Sequence, residues 1–264
     1  MSRQKAATKT RREMKRSLRK ERAGRYEMAS VTSFADFTGI EPIGMAKERR
    51  DNSPITPRND AQKLYINSIK HKQLIFANGE AGCGKTFIST ALAADALINK
   101  DINKDINKII VTRPVLQAEE DLGFLPGDMA EKFAPYFRPV YDVLVKRLGN
   151  SFLQYCLRPE IAKVEIAPFA YMRGRTFENA IVILDEAQNV TVTQMKMFLT
   201  RLGENVTVIV NGDVTQCDLP EGVTSGLADA LQRFSSDEMV AMINFTVDDC
   251  VRSTLCHRAL LAYS

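Results

Sequence analysis

Gly79-Glu80-Ala81-Gly82-Cys83-Gly84-Lys85-Thr86 satisfies the spacing G-x-x-x-x-G-K-S/T of a phosphate-binding loop without a mismatch. Each residue type in it has a chemical reason. Glycines let backbone N–H groups turn inward toward phosphate oxygens, and the helix that follows adds the positive end of its dipole. Lys85 is suited to neutralising charge on the β- and γ-phosphates, and the Thr86 hydroxyl to ligating Mg²⁺. Glu80, Ala81, Cys83 and Phe87 complete the set expected to touch the nucleotide.

A hydrolytic site also needs an acidic group at the end of a second buried strand. Ile181-Val182-Ile183-Leu184-Asp185-Glu186-Ala187-Gln188 supplies it. Asp185 is the candidate metal partner, directly or through water, and Glu186 the general base that orients and deprotonates the attacking water. Together the two motifs point to hydrolysis and not to binding alone. A third apolar run, Val206 to Val210, ends in Asn211-Gly212-Asp213-Val214-Thr215-Gln216. Gln216 or Asn211 fits a contact to the γ-phosphate, although Asn-Gly and Gly-Asp also read as plain turn signals. Gln62, upstream of the loop, carries an amide able to pair with both the donor and acceptor edges of adenine. On its own it reads better as an exposed helical glutamine.

These residues need a scaffold, and the pattern around them describes one. The loop sits between the apolar run Leu74 to Ala77 and the Ala-rich helix candidate Thr86 to Ile98. Asn59 to Ile69 opens with capping residues and reads as a helix. Further apolar runs follow at Ile109 to Val111, Val164 to Ile166, Ile181 to Leu184, Val206 to Val210 and Val240 to Phe245. Helical stretches are expected at about 128–149, 191–202 and 224–234. Val and Ile runs without strict alternation suit strands buried on both faces, hence a parallel sheet with helices outside, a doubly wound α/β domain. The repeat DINK at 101–104 and 105–108 reads as a duplication tolerated in a polar surface connection.

Charge divides the chain. Residues 1–25 hold 11 basic side chains against Glu13 and Glu21, a net +9, so the remainder is −5 while the whole is +4. The organisation expected is a basic, flexible arm over 1–30, a linker over 31–56 and a globular domain over 57–264. An organelle transit peptide is a second reading of the acid-poor arm. Five cysteines without a C-x-x-C pair argue against a disulfide framework and a zinc site and for the cytoplasm. With only His71 and His257, a His-rich metal site or Ser-His-Asp chemistry is disfavoured. No apolar run reaches the roughly 18 residues of a membrane span, and no apolar segment follows the basic start as in a secretory signal.

In chain order the blocks T-P-R-N-D-A-Q (56–62), the phosphate loop, T-R-P-V-L-Q-A-E-E-D-L-G-F-L-P-G-D (112–128), Y-M-R-G-R-T-F (171–177), I-L-D-E-A-Q-N (183–189), Q-M-K-M-F-L-T-R-L-G (194–203), G-D-V-T-Q (212–216) and S-G-L (225–227) stand out. The chain thereby resembles the PhoH-like family of P-loop ATPases from about Thr56 to Val251. The resemblance implies a single RecA-like core related to the first core domain of superfamily-one helicases. It implies ATP and Mg²⁺ as cofactors, favours Gln62 as the adenine contact and Gln216 as the γ-phosphate sensor, and brings an RNA-associated role. Since one core lacks the arginines that a second core would supply, it also implies a homo-oligomer, a ring guessed as a hexamer, with Arg201 or Arg252 acting in a neighbour's site. This chain departs from the family pattern at Arg252-Ser253-Thr254, where relatives place His and Pro. Arg113, Arg173 and Arg175 fall in family blocks whose loops would face single-stranded nucleic acid; pairing with Glu119, Glu120 or Asp121 is the structural alternative.

The function expected is an ATPase that couples hydrolysis to RNA binding or remodelling, the arm gripping phosphate in a salt-sensitive way. With no aromatic before Tyr26, the arm offers no base stacking. The alternative is an ATP-dependent adaptor acting on a protein partner such as an RNase, without unwinding. A nucleotide kinase is discounted for want of a second acceptor pocket or lid motif.

Overall fold

Strands that lack polar alternation must be covered on both faces, and the Val- and Ile-rich runs meet that requirement in one parallel six-stranded sheet. The structure is a computed structural model that describes residues 50–99, 106–115 and 129–263. The elements are α1 (Asp60–His71), β1 (Leu74–Gly79), α2 (Lys85–Asn99), β2 (Lys108–Arg113), α3 (Met129–Leu148), α4 (Asn150–Leu157), β3 (Val164–Pro168), β4 (Ala180–Leu184), α5 (Val192–Leu199), β5 (Thr207–Gly212), α6 (Gly226–Arg233), β6 (Val240–Phe245) and α7 (Thr254–Tyr263). The basic arm, the start of the expected linker, the first DINK copy and the segment 116–128, with Glu119, Glu120 and Asp121, lie outside the described residues.

The strand order is β3-β2-β4-β5-β1-β6. β1 therefore lies between β5 and β6, and β5 separates it from β4, which carries Asp185 and Glu186 at its end. Because every strand runs the same way, the carboxyl ends of β1, β4 and β5 meet along one edge, where the loops of open α/β sheets bind ligands. Successive residues take opposite faces. Ile75, Ala77, Ile109, Val111, Ile181, Ile183 and Ile209 pack with Tyr65, Ile88, Leu144 and Leu153 of the helices on one side. Phe76, Ile110, Val182, Leu184, Val208 and Val210 pack with Met195, Phe198 and Leu227 on the other.

Local chemistry sets the ends of the elements. Asn59 caps α1 by accepting the Gln62 N–H at 2.8 Å. Thr191 and Gln194 form a reciprocal capping box on α5. The single helix expected over 128–149 is followed at once by a second, because Gly149 takes a left-handed φ of 79° and turns the chain into α4. α7 has no counterpart among the expected helices. Its Leu255 and Leu261 are exposed, so it presents no clean core stripe to read.

Residues 51–55 of the expected linker are docked on α3. Buried Arg147 donates from Nε to Asp95 Oδ1 at 2.9 Å, pairs through Nη2 with Asp95 Oδ2, and donates from Nη1 to the Ser53 carbonyl at 2.8 Å. The Asp51 N–H donates to the Lys146 carbonyl at 2.9 Å. Arg147→Ala should strand a half-buried carboxylate and lower unfolding free energy by about 3 kcal/mol. In denaturant titration that appears as an earlier midpoint with an unchanged slope. Among the described residues no helix is long and apolar enough to cross a membrane.

Candidate functional site

The turn after β1 is shaped by what its glycines permit. Gly79 has φ +137°, and a Cβ built on it would lie 2.1 Å from the Phe245 carbonyl oxygen. Only glycine lets β6 approach there. The loop then leads into α2, whose first residue, Lys85, curls its ammonium back over the loop, donating to the Gly79 carbonyl and, at 2.9 Å, to the Glu80 carbonyl. Burial pushes Lys85 below the usual lysine range, while Cys83, Asp213, Glu186 and Asp185 pull it back up. Burial likewise pushes the Cys83 thiol up to about 11.

Facing the loop, the end of β4 presents its two acids differently. Asp185 is buried, and its Oδ1 accepts from the Thr86 hydroxyl at 2.9 Å. Burial and the neighbouring Glu186 raise it above the ordinary carboxylate range against the opposing pull of Arg113, Thr86 and Lys85. Glu186 is only partly buried and has left-handed backbone angles, φ 53° and ψ 42°. A non-glycine residue there carries strain that its surroundings must hold. Its Oε1 receives Arg113 Nη2 at 3.0 Å and its Oε2 receives Gln188 Nε2 at 2.7 Å. From β5, Asn211 does not turn to the loop; its amide donates to Ser89 at 3.0 Å and accepts from the Tyr65 hydroxyl at 2.6 Å. Gln216 does face the cleft and donates to Asp213 Oδ2 at 2.8 Å.

Lys85, Thr86, Asp185, Glu186 and Gln216 line a single cleft of about 630 Å³. Ala81, Gly82, Cys83, Gly84, Phe87, Gln62 and Arg252 line it as well. Gln62 is buried at its edge, with Nε2 on the Cys83 carbonyl and Oε1 on the Arg58 N–H, both at 2.9 Å. One N–H and one lone pair of that amide stay free of those two bonds. The segment after β6 closes the same end: the Val251 N–H donates to the Gly82 carbonyl at 3.2 Å, and Arg58 Nη1 donates to the Val251 carbonyl at 3.2 Å.

This chain matches the family model described as PhoH-like protein over residues 54–264. It belongs to the PhoH family. Protein PhoH of Escherichia coli strain K12 is 71% identical over 266 aligned positions, covering 100% of this chain and 74% of that protein. The PhoH-like protein of Bacillus subtilis strain 168 is 48% identical over 237, covering 90% and 72%. Among solved structures, Pif1 helicase from Candida albicans gives a TM-score of 0.34 at 16% identity, over 73% of this chain and 40% of that one, too slight a likeness to carry an argument. Family and fold together make this a P-loop NTPase-type protein, a RecA-like α/β domain.

Within this PhoH-family chain the arginines separate. Arg252 lies in the chain's own cleft, its Cδ 3.3 Å from where a Cβ on Gly82 would stand. Arg201 follows α5, and its carbonyl accepts the Phe177 N–H at 2.9 Å on the approach to β4, away from the cleft. Its buried Nε has no hydrogen-bond partner among the described residues. Arg113 ties the Tyr136 carbonyl to Glu186 and lines the cleft. Arg175 pairs with Glu165, which Lys108 also holds at 2.7 Å. Burial works to raise Glu165, but those two cations outweigh it and keep the carboxyl below its usual range. Arg173 is exposed. Gln188, Asp213 and Arg58 stand in motif-bearing blocks but have no spacing signature of their own, because their contacts to Glu186, Gln216 and Val251 form only in the fold.

Proposed function

We propose that this chain binds ATP with Mg²⁺, hydrolyses it, and couples the cycle to RNA binding or remodelling. The observation that carries the hydrolytic part is the meeting of Lys85, Thr86, Asp185, Glu186 and Gln216 in one cleft at the carboxyl edge of the sheet. The donor set fits Mg²⁺. A hydroxyl and a carboxylate 2.9 Å apart are hard oxygen ligands, and Asp185 is a buried carboxyl raised by desolvation, which a cation alongside would reverse. No group of three or more metal-ligating side chains stands together among the described residues, which suits an ion that relies on water and substrate phosphates. Thr86 and Asp185 would hold it, and when bound it neutralises charge between the β- and γ-phosphates.

The chain's own groups do the rest. Loop N–H groups and Lys85, released from its carbonyls, receive the phosphate oxygens. Gln62 and Phe87 meet the base at the end closed by Arg58 and Val251. Glu186 takes the proton of the attacking water, and Gln216 and Arg252 contact the γ-phosphate. In a homo-oligomeric ring, with a hexamer as the working size, Arg201 is the side chain left to reach a neighbour's cleft. RNA affinity is assigned to the +9 arm, because the body is net acidic.

ATP turnover, measured with and without single-stranded RNA at low and high salt, tests the coupling. Stimulation that fades with salt is expected for the full chain. Deleting residues 1–25 should weaken RNA binding while basal turnover persists. Absence of any RNA effect at every salt concentration would overturn the RNA reading and leave the adaptor role, with a protein such as an RNase as target.

A further inference from the structure

The general base and the γ-phosphate contact belong to different strands. Glu186 follows β4 and Gln216 follows β5, and the left-handed backbone at Glu186 gives the base no regular element to fix it. One side chain spans the gap. Gln188, 2% exposed, donates from Nε2 to Glu186 Oε2 at 2.7 Å and accepts at Oε1 from the Asp213 N–H at 3.0 Å. Asp213, 5% exposed, then accepts from Gln216 Nε2 at 2.8 Å through Oδ2. Its other oxygen holds the Thr215 N–H at 3.0 Å and the Thr215 hydroxyl at 2.7 Å. The polar chain is thus Glu186, Gln188, Asp213, Gln216.

The partners force its direction. An ionised carboxylate only accepts and a backbone N–H only donates, so turning the Gln188 amide over would face like against like at both ends. The backbone makes room for it: a Cβ on Gly212 would stand 2.8 Å from Gln188 Oε1. A second strap runs alongside, with Asn189 Nδ2 donating to Asp218 Oδ2 at 3.1 Å and the Asp218 N–H donating to Asn189 Oδ1 at 2.8 Å. The two strand ends are therefore tied to each other by side chains.

We infer that Gln188 is a positioning residue that couples Glu186 to Gln216, so that the base is aligned only when Gln216 has engaged the γ-phosphate. The inference rests on the hydrolytic reading above. When Gln216 leaves Asp213 for a phosphate oxygen, Asp213 Oδ2 loses that partner while Oδ1 keeps Thr215, and the resulting shift of Asp213 passes through its N–H to the Gln188 amide and hence to the carboxylate of Glu186.

The test uses the full chain with two replacements of similar length. Gln188→Glu keeps the acceptor for Asp213 but turns an oxygen toward Glu186, and Gln188→Met removes both bonds. Each is combined with Gln216→Ala in a double-mutant cycle of ATP turnover, with thermal midpoint and affinity for ADP as controls. Both replacements should lower kcat by about 10- to 100-fold while KM for ATP stays within about twofold. In the Gln188→Met background, Gln216→Ala should cost less than about twofold more, because the two act as one unit. Multiplying effects, an unchanged kcat, or a loss confined to KM would overturn the coupling. So would a joint fall of ADP affinity and midpoint in both variants, which would make Gln188 a residue of the fold alone. If the wild-type chain hydrolyses ATP and the cycle is additive, only the coupling falls; if it does not hydrolyse ATP, both readings fall.

Discussion

Glu186→Gln should lower ATP turnover by about 10²–10⁴-fold, the range that general-base catalysis supplies, while the protein still binds ATP. The replacement keeps the side chain's shape but removes the group that takes the proton, and its amide can accept from only one of Arg113 and Gln188, because its NH2 faces the other donor. Its neighbours reinforce the separation of binding from chemistry. Arg113 and Gln188 meet Glu186 at its carboxylate, whereas the N–H groups proposed to face phosphate belong to the turn after β1. Nucleotide titration of the variant should therefore resemble that of wild type. Lys85→Ala is the contrasting case, because it removes the cation proposed to meet the phosphates, and it should lose binding and turnover together. Turnover of Glu186→Gln within about threefold of wild type would remove Glu186 as the base, since even the low end of the range above is larger.

Gly79→Ala should unfold the domain more readily, by upwards of about 4 kcal/mol, the level that marks a specific structural conflict. Two effects add. The added methyl would meet the Phe245 carbonyl oxygen at 2.1 Å and its Cβ at 2.8 Å, and φ +137° is a conformation that L side chains rarely adopt. The first obstacle is backbone in the adjacent strand, so it cannot swing aside as a side chain would. Gly174→Ala is the matched control: φ is +79° with nothing within 4 Å, so only about 1–2 kcal/mol of left-handed strain is expected. Equilibrium unfolding of both variants in urea checks the difference, and equal losses would contradict the steric account.

The residues that do the predicted chemistry were readable because each advertises itself locally. A glycine-rich turn ending in Lys-Thr after an apolar run has few other uses, and an Asp-Glu pair ending a run of Ile, Val and Leu is conspicuous. All six strands lie where the Val and Ile runs put them, although β1 extends two residues beyond Ala77 because Asn78 and Gly79 pair with Asn244 and Phe245. Partners were another matter. The sequence places Arg113 toward nucleic acid or nearby acids, while the fold sets it on Glu186, 73 residues away. Arg175 finds Glu165 on the edge strand β3. Asn211, eligible by position for the γ-phosphate, is turned inward to Tyr65 and Ser89.

What the sequence alone determined is the identity of the phosphate loop, the acidic strand end, the parallel α/β class and the segregation of positive charge into the first 25 residues. Backbone freedom at glycine, strand preference and burial of apolar runs are properties of consecutive residues, so they can be read in order. Tertiary structure decided that β5 lies between β1 and β4, that Arg252 enters its own chain's cleft, and that Gln188 joins Glu186 to Asp213. Those outcomes depend on which strand ends become neighbours. Hydrogen bonds and ion pairs reach only about 3–4 Å, so a side chain distant in sequence acquires a role only after the sheet has brought its partner within that range.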